Sequence, residues 1–371
     1  MSFDSEKLES VAAIAALHAA EVDRGAFPAK ALDAARSAGL LGLVSATEVG
    51  GKGEGLAEAS IVVERLAREC ASTAMVVCMH YCAAAVIEKH GATETRKAIA
   101  AGTHLSTLAF SEAGSRSHFW APLGTARRAG KDVHLTAKKS WITSAHHADS
   151  YVWSSKPLEG AEASTLWLVP RTTAGLQFAE AQFEGLGLRG NDSVPASAED
   201  ARIPATAMLG EDGAGFGIMM GVVLPWFNVL IASVSAGLME AATARTAAHS
   251  SAIRFQETGT SMAELPTIRA FIARMRISTD QTKALIGDTL AAMGANRPDT
   301  MLRVLESKAA AGEAAAQVTD LAMRVCGGAA FRKDVGVERV FRDARAALVM
   351  GPTTDVLYDF IGKAVCGLPL F

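Results

Sequence analysis

Two short stretches decide how this chain reads: Phe110-Ser111-Glu112-Ala113-Gly114-Ser115-Arg116-Ser117-His118 and Lys139-Ser140-Trp141-Ile142-Thr143-Ser144. The first is a strand end running into Ser, Gly and Ser, which offers small hydroxyls and free backbone N–H groups to the polar edge of a flat ligand. In the second, strand alternation places a ring-covering tryptophan and the hydroxyl two residues later on one side. Singly, a small polar loop and an ordinary amphipathic strand account for them. Their joint occurrence is hard to assign to coincidence.

Both stretches fall within residues 103–210, where five of the eleven prolines lie and where short runs (Val133–Thr136, Tyr151–Trp153, Thr165–Val169, Leu176–Phe178) alternate with turn residues. With no helical pattern between them, these runs predict an antiparallel sheet or barrel rather than a doubly wound parallel sheet. Residues 1–102 are rich in Ala, Leu, Glu and Arg at helical spacing, as in Ile61-Val62-Val63, Leu66 and Cys70. The Gly cluster at 50–55 interrupts this helical part without the GxGxxG order of a dinucleotide turn. Residues 211–371 return to long Ala-rich segments punctuated by Pro266, Pro298 and Pro352. The predicted organisation is a mostly α, α+β chain: helical domain 1–102, antiparallel β-barrel-like domain 103–210, helical bundle 211–371.

Half of the 371 residues are apolar and 20% are charged, enough to bury real cores. A net charge of -3 argues against nucleic acid as a partner. Five cysteines with no CxxC pair, and a polar N-terminus, point to reduced thiols and a cytoplasmic protein. Gly213–Met239 has no charge and is long enough to cross a bilayer, yet Pro225 and Asn228 interrupt it and acidic residues flank it. It reads as a buried bundle helix, and no membrane is expected.

Other motifs fall away. Cys78 and Cys82 share a helical face from which His80 is turned, so a metal there is not expected. His146, His147 and Asp149 read as loop residues without a second ligand pair. GxSxG, HExxH and P-loop patterns do not occur.

The two opening stretches resemble the flavin-contacting strands of the acyl-CoA dehydrogenase superfamily, roughly T-E-P-x-x-G-S-D and K-x-[FW]-I-[ST]. The likeness continues, in order and spacing, through Glu48-Val49-Gly50-Gly51, Leu186-Gly187-Leu188-Arg189-Gly190, Leu209–Phe216, Cys326-Gly327-Gly328-Ala329-Ala330-Phe331 and Val337–Ala344. It implies the same three-part fold, a four-helix C-terminal bundle, a homotetramer, and FAD, with FMN as the lesser alternative. Carried over by position, it implies that Leu108 and Ser111 meet the pyrimidine edge, Ser117 lies near the pyrophosphate or ligand, and Trp141 and Thr143 flank the ring. It further implies cofactor contacts from Gly327, Gly328, Thr353 and Asp355, partly across a subunit interface, with Arg254 and Arg324 as phosphate-side equivalents.

The departures bear on mechanism. Dehydrogenation needs a carboxylate to take the α-proton while hydride leaves the β-carbon. Gly351 stands where the resemblance implies that base, and Phe227, followed by Asn228, stands at the alternative position on the long core helix. The Asp ending the first flavin strand is His118, and the glutamine before the Gly-Gly turn is Arg324. Three functions follow. The favoured expectation is a monooxygenase using reduced flavin and oxygen on a small apolar or aromatic substrate, in a pocket formed by Phe227, Asn228 and Gly351 and served by a flavin reductase. The alternative is an acyl thioester dehydrogenase with a relocated base, Asp355 or Glu240, served by an electron-transfer flavoprotein. The third is a non-catalytic flavin-binding protein.

Overall fold

The computed structural model describes residues 4–115, 118–159, 164–180 and 183–370. The chain opens with α1 (Ser5–Asp23), α2 (Ala29–Ser37), α3 (Leu56–Glu69), α4 (Ala71–His90) and α5 (Thr93–Ala100). Asp4 starts α1 by accepting the backbone N–H groups of Glu6 and Lys7. Leu8, Val11, Ala12, Ala15, Ala19 and Val22 then bury one stripe of that helix. On α4 every residue from Ala71 to Ile87 is buried, which explains its lack of a polar face.

Eight strands follow: β1 (Ser106–Ala109), β2 (Thr125–Ala129), β3 (Asp132–Ile142), β4 (Ser150–Ser155), β5 (Thr165–Pro170), β6 (Leu176–Phe178), β7 (Val194–Pro204) and β8 (Met208–Leu209). They form two four-stranded sheets, ordered β1-β4-β5-β8 and β2-β3-β7-β6. The expectation of a purely antiparallel arrangement needs one correction: β1 runs parallel to β4. The connection between them is long, containing β2 and β3, so it permits a parallel pairing that no hairpin could make. Tyr151, Trp153, Trp167 and Val169 join Val133, Leu135, Ala198 and Ile203 in a core between the sheets. The alternate residues Leu108, Val152 and Leu166 belong to the helical core instead, so the first sheet is buried on both faces.

The C-terminal part comprises α6 (Gly215–Ile218), a π-helical turn (Met219–Val223), α7 (Leu224–Ala252), α8 (Pro266–Gly294), α9 (Thr300–Cys326), α10 (Val337–Ala344), α11 (Ala346–Val349) and α12 (Thr354–Val365). The run 215–252 and α4 are each long and apolar enough to cross a membrane, but most of each is buried within the fold. Close approach is built into α7: a Cβ on Gly237 would lie 2.3 Å from the Glu64 carbonyl oxygen of α3. The first and last parts are also tied by charge, since Arg342 donates to both Asp23 carboxylate oxygens and to Glu338.

Candidate cofactor and active site

The two decisive stretches meet through an ion pair. Lys139 Nζ donates to Glu112 Oε1 at 2.7 Å and to the Ser154 carbonyl and hydroxyl oxygens at 2.8 and 2.9 Å. Glu112 also accepts the N–H groups of Leu123 and Gly124. Both side chains are sealed from solvent. Burial pulls Lys139 down to about 8 against the opposing pull of Glu112. Beside the pair, the Ser140 N–H donates to the Ser111 carbonyl at 2.8 Å. The polar loop after β1 is thereby fixed to the end of β3.

At that end the ladder is irregular. Lys139 pairs with Ala196 and Ile142 with Val194, so β3 advances three residues while β7 advances two. The extra residue is a bulge. Trp141 has φ +55° and Ser144 φ +58°, a backbone region unfavourable for bulky side chains. Trp141 is nonetheless 66% exposed, touching Phe183 edge-on at 6.1 Å between centroids. An indole held in a costly conformation and left open suits a stacking platform for a flat aromatic group.

The bulge also corrects the expectation that alternation sets Trp141 and Thr143 on one side. Ile142 and Thr143 turn inward, and the Thr143 hydroxyl lies 3.2 Å from that of Ser193. Leu108 is likewise inside, in the helical core, so its side chain does not line an open edge. Ser111 is exposed next to the bulge. Ser117 lies outside the described residues.

Beyond the first stretch, His118 stacks on Trp120 at 4.8 Å. Both line a cavity of about 530 Å³ with Asp355, Val356, Phe360 and Lys363. Thr353 places α12 there by accepting the Val356 N–H at its N-terminus. Arg324 sits elsewhere, over the Phe271 ring at 5.2 Å, in a second cavity of about 340 Å³ with Arg274, Gln317 and Asp320. The Gly327–Gly328 turn that follows is exposed, and a Cβ on either glycine would meet nothing within 4 Å. Arg254 is exposed on the loop after α7 and donates to the Gly259 carbonyl at 3.0 Å. Among the described residues no hydrogen bond, ion pair or ring contact links Arg254, Arg324 or the glycine turn to Ser111, Trp141 or Thr143.

Neither Gly351, in the connection between α11 and α12, nor Phe227, in the first turn of α7, carries a titratable side chain. Asn228 is fully buried and donates to the Val304 carbonyl at 3.3 Å. Glu240 is corrected as a candidate base: Arg276 holds it at 3.0 and 3.1 Å and Lys283 at 3.2 Å, and these cations keep its carboxyl below the usual range. It also lies about 20 Å along α7 from Phe227 at 1.5 Å per residue. Asp355 is the candidate carboxylate that reaches a cavity.

One residue escaped sequence reasoning. Lys308, on α9, is fully buried, 6.0 Å from the Phe227 ring centre, with its ammonium on carbonyl oxygens flanking Gly351. A lysine on an otherwise Ala-rich face was its only signal. Among the described residues no group of three or more His, Cys, Asp or Glu could hold a metal.

A flat cofactor fits these residues: Trp141 offers a ring face and Ser111 a polar edge beside it, while Gly327–Gly328 leave backbone open. Comparison with known proteins agrees. The N-terminal, middle and C-terminal domain models of acyl-CoA dehydrogenase match residues 8–103, 107–201 and 213–366. The chain is 30% identical over 347 residues to the human mitochondrial short-chain specific acyl-CoA dehydrogenase, covering 91% of this chain and 83% of that protein. It is 26% identical over 355 residues to cyclohex-1-ene-1-carbonyl-CoA dehydrogenase of Syntrophus aciditrophicus, covering 94% and 85%. Its fold is similar to that of butyryl-CoA dehydrogenase from Megasphaera elsdenii, with a TM-score of 0.89, 22% identity and coverage of 99% and 100%. The chain therefore belongs to the acyl-CoA dehydrogenase family and is a flavin-dependent oxidoreductase.

Proposed function

We propose that this protein is an FAD-dependent dehydrogenase of acyl thioesters in which Asp355 replaces the missing base. The supporting observation is the cavity that Asp355 lines from the first turn of α12 together with His118 and Trp120, which follow the polar loop after β1. The chemistry FAD supplies when bound is acceptance of the hydride leaving the substrate β-carbon. Trp141 orients the ring, and the Glu112–Lys139 pair holds the strand ends that frame it. Asp355 lies exposed in the first turn of α12, where it lines the same cavity as His118 and Trp120. Relatives named as acyl-CoA dehydrogenases support this reading over oxygen-dependent hydroxylation.

A flavoprotein electron acceptor and a homotetramer belong to the same proposal. Its exposed apolar side chains Phe331, Val349, Tyr358 and Val365 favour assembly. The hydroxylase reading retains one specific observation in its favour, the carboxylate-free Gly351 and Phe227. Anaerobic titration of the FAD-loaded protein with short-chain and cyclic acyl-CoA thioesters decides between them. Loss of the flavin's visible absorbance supports the dehydrogenase. An unbleached flavin, with oxygen consumed only by pre-reduced protein and substrate, returns the assignment to the hydroxylase.

A further inference from the structure

α9 carries Val304, Lys308 and Gly312 at four-residue steps, and so on one side of the helix. Val304 accepts the Asn228 amide of α7. A Cβ on Gly312 would lie 3.6 Å from Thr354 Oγ1 and 3.7 Å from the Ala347 Cβ. This stripe therefore faces α7 and the α11–α12 connection together, with Lys308 at its centre. Lys308 Nζ donates to the carbonyls of Ala347 at 3.2 Å, Met350 at 3.0 Å and Pro352 at 2.7 Å. Three acceptors use all three protons of an ammonium.

These carbonyls need a donor from outside. α11 is one turn long and leaves its C-terminal carbonyls free, and the four-residue connection Met350–Thr353 contains a proline with no N–H. Buried carbonyls without partners are costly. Among the described residues no carboxylate contributes to holding the lysine: burial alone pulls it down to about 7, and the charge rests on carbonyl dipoles.

We propose that Lys308 is a positioning residue, an internal ammonium strut that holds the Gly351 connection against Phe227 and thereby sets where α12 presents Asp355. The two places at which the sequence lacks the expected base are thus joined by a single buried side chain. Only the activity arm of the following test rests on the dehydrogenase reading.

The test uses the full-length, FAD-loaded protein with Lys308→Met, which keeps length and packing but has no donor, and Lys308→Gln, which keeps two N–H donors on a shorter arm. Amide exchange of peptides spanning residues 346–356 is expected to quicken at least ~10-fold in Lys308→Met, with peptides from α4 and β3 unchanged. With butyryl-CoA, kcat is expected to fall at least ~10-fold while KM stays within ~3-fold, Lys308→Gln falling between. Unchanged exchange at 346–356, loosening spread evenly through the bundle, or a defect confined to KM overturns the proposal. Should Lys308→Met not fold, the same two measurements on Lys308→Gln decide the question. If butyryl-CoA reduces neither wild type nor variants, that counts against the proposed function, and the exchange measurement still decides the strut.

Discussion

Lys139 and Glu112 form a solvent-sealed ion pair 2.7 Å long that ties the loop after β1 to the strand β3. Its surroundings are complete: the ammonium reaches Ser154 twice, and the carboxylate receives two backbone N–H groups. Breaking one partner strands the other as a buried charge. Glu112→Gln or Lys139→Met should each cost about 3–5 kcal/mol of stability, whereas an apolar replacement of both should cost markedly less. Urea unfolding of the two single variants and the double variant measures this, and additive losses would contradict it.

Trp141 separates stability from cofactor retention. Trp141→Ala should weaken FAD binding by about 0.5–1.5 kcal/mol, or roughly 2- to 12-fold in Kd. Trp141→Gly should lose the same contact yet leave the cofactor-free protein no less stable than wild type, because glycine tolerates φ +55°. Flavin fluorescence titration and thermal melting of the apoprotein check the two halves.

His80 makes the fold acid-sensitive. Its Nε2 pairs with the Leu41 carbonyl at 2.9 Å and its Nδ1 with the Ser106 N–H at 3.2 Å, an arrangement that suits only the neutral ring protonated at Nε2. Burial lowers its pKa from 6.5 to about 4. The unfolded chain therefore binds the proton first as pH falls, and stability present above pH 6.5 is lost progressively down to about pH 4, by about 3 kcal/mol at 1.36 kcal/mol per pH unit. His80→Gln should flatten this part of the stability profile. A wild-type profile with no loss across that window would refute the assignment.

The two carboxylates weighed as bases should behave differently. Asp355→Asn should slow anaerobic flavin reduction by roughly 10²–10⁴-fold, the usual worth of general-base assistance. Glu240→Gln should leave that rate within about twofold while lowering stability through its Arg276 and Lys283 contacts. Stopped-flow absorbance on both variants tests the pair, and equal slowing would count against Asp355.

Much of the architecture was legible because it follows from local periodicity. The all-apolar texture of Gly213–Met239 predicted a helix buried on every side; α7 is so buried from Leu224 to Met239, Trp226 being half-buried, whereas Gly217 and Gly221 ahead of it are exposed. The short β runs between 103 and 210 became strands close to where their apolar and turn residues placed them. The parallel β1–β4 pair was not legible, since strand direction depends on a connection whose path no local pattern specifies. Nor was the bulge at Trp141: alternation predicts which face a residue takes only while the ladder is regular, and the register slip lies in the partnership with β7.

The sequence by itself determined the family, the three-part order, and the absence of a carboxylate at Gly351 and Phe227. These are matters of residue identity and spacing. Only the tertiary structure decided what those residues face: that Glu240 is locked by Arg276 and Lys283, that Asp355 enters a cavity with His118, and that Lys308 bridges Phe227 to the Gly351 connection. The physical reason is that burial and electrostatics act through space. A lysine 81 positions from Phe227 and 43 from Gly351 shows no relation to either until the helices pack, and the same packing that removes it from water gives it the carbonyls that hold its charge.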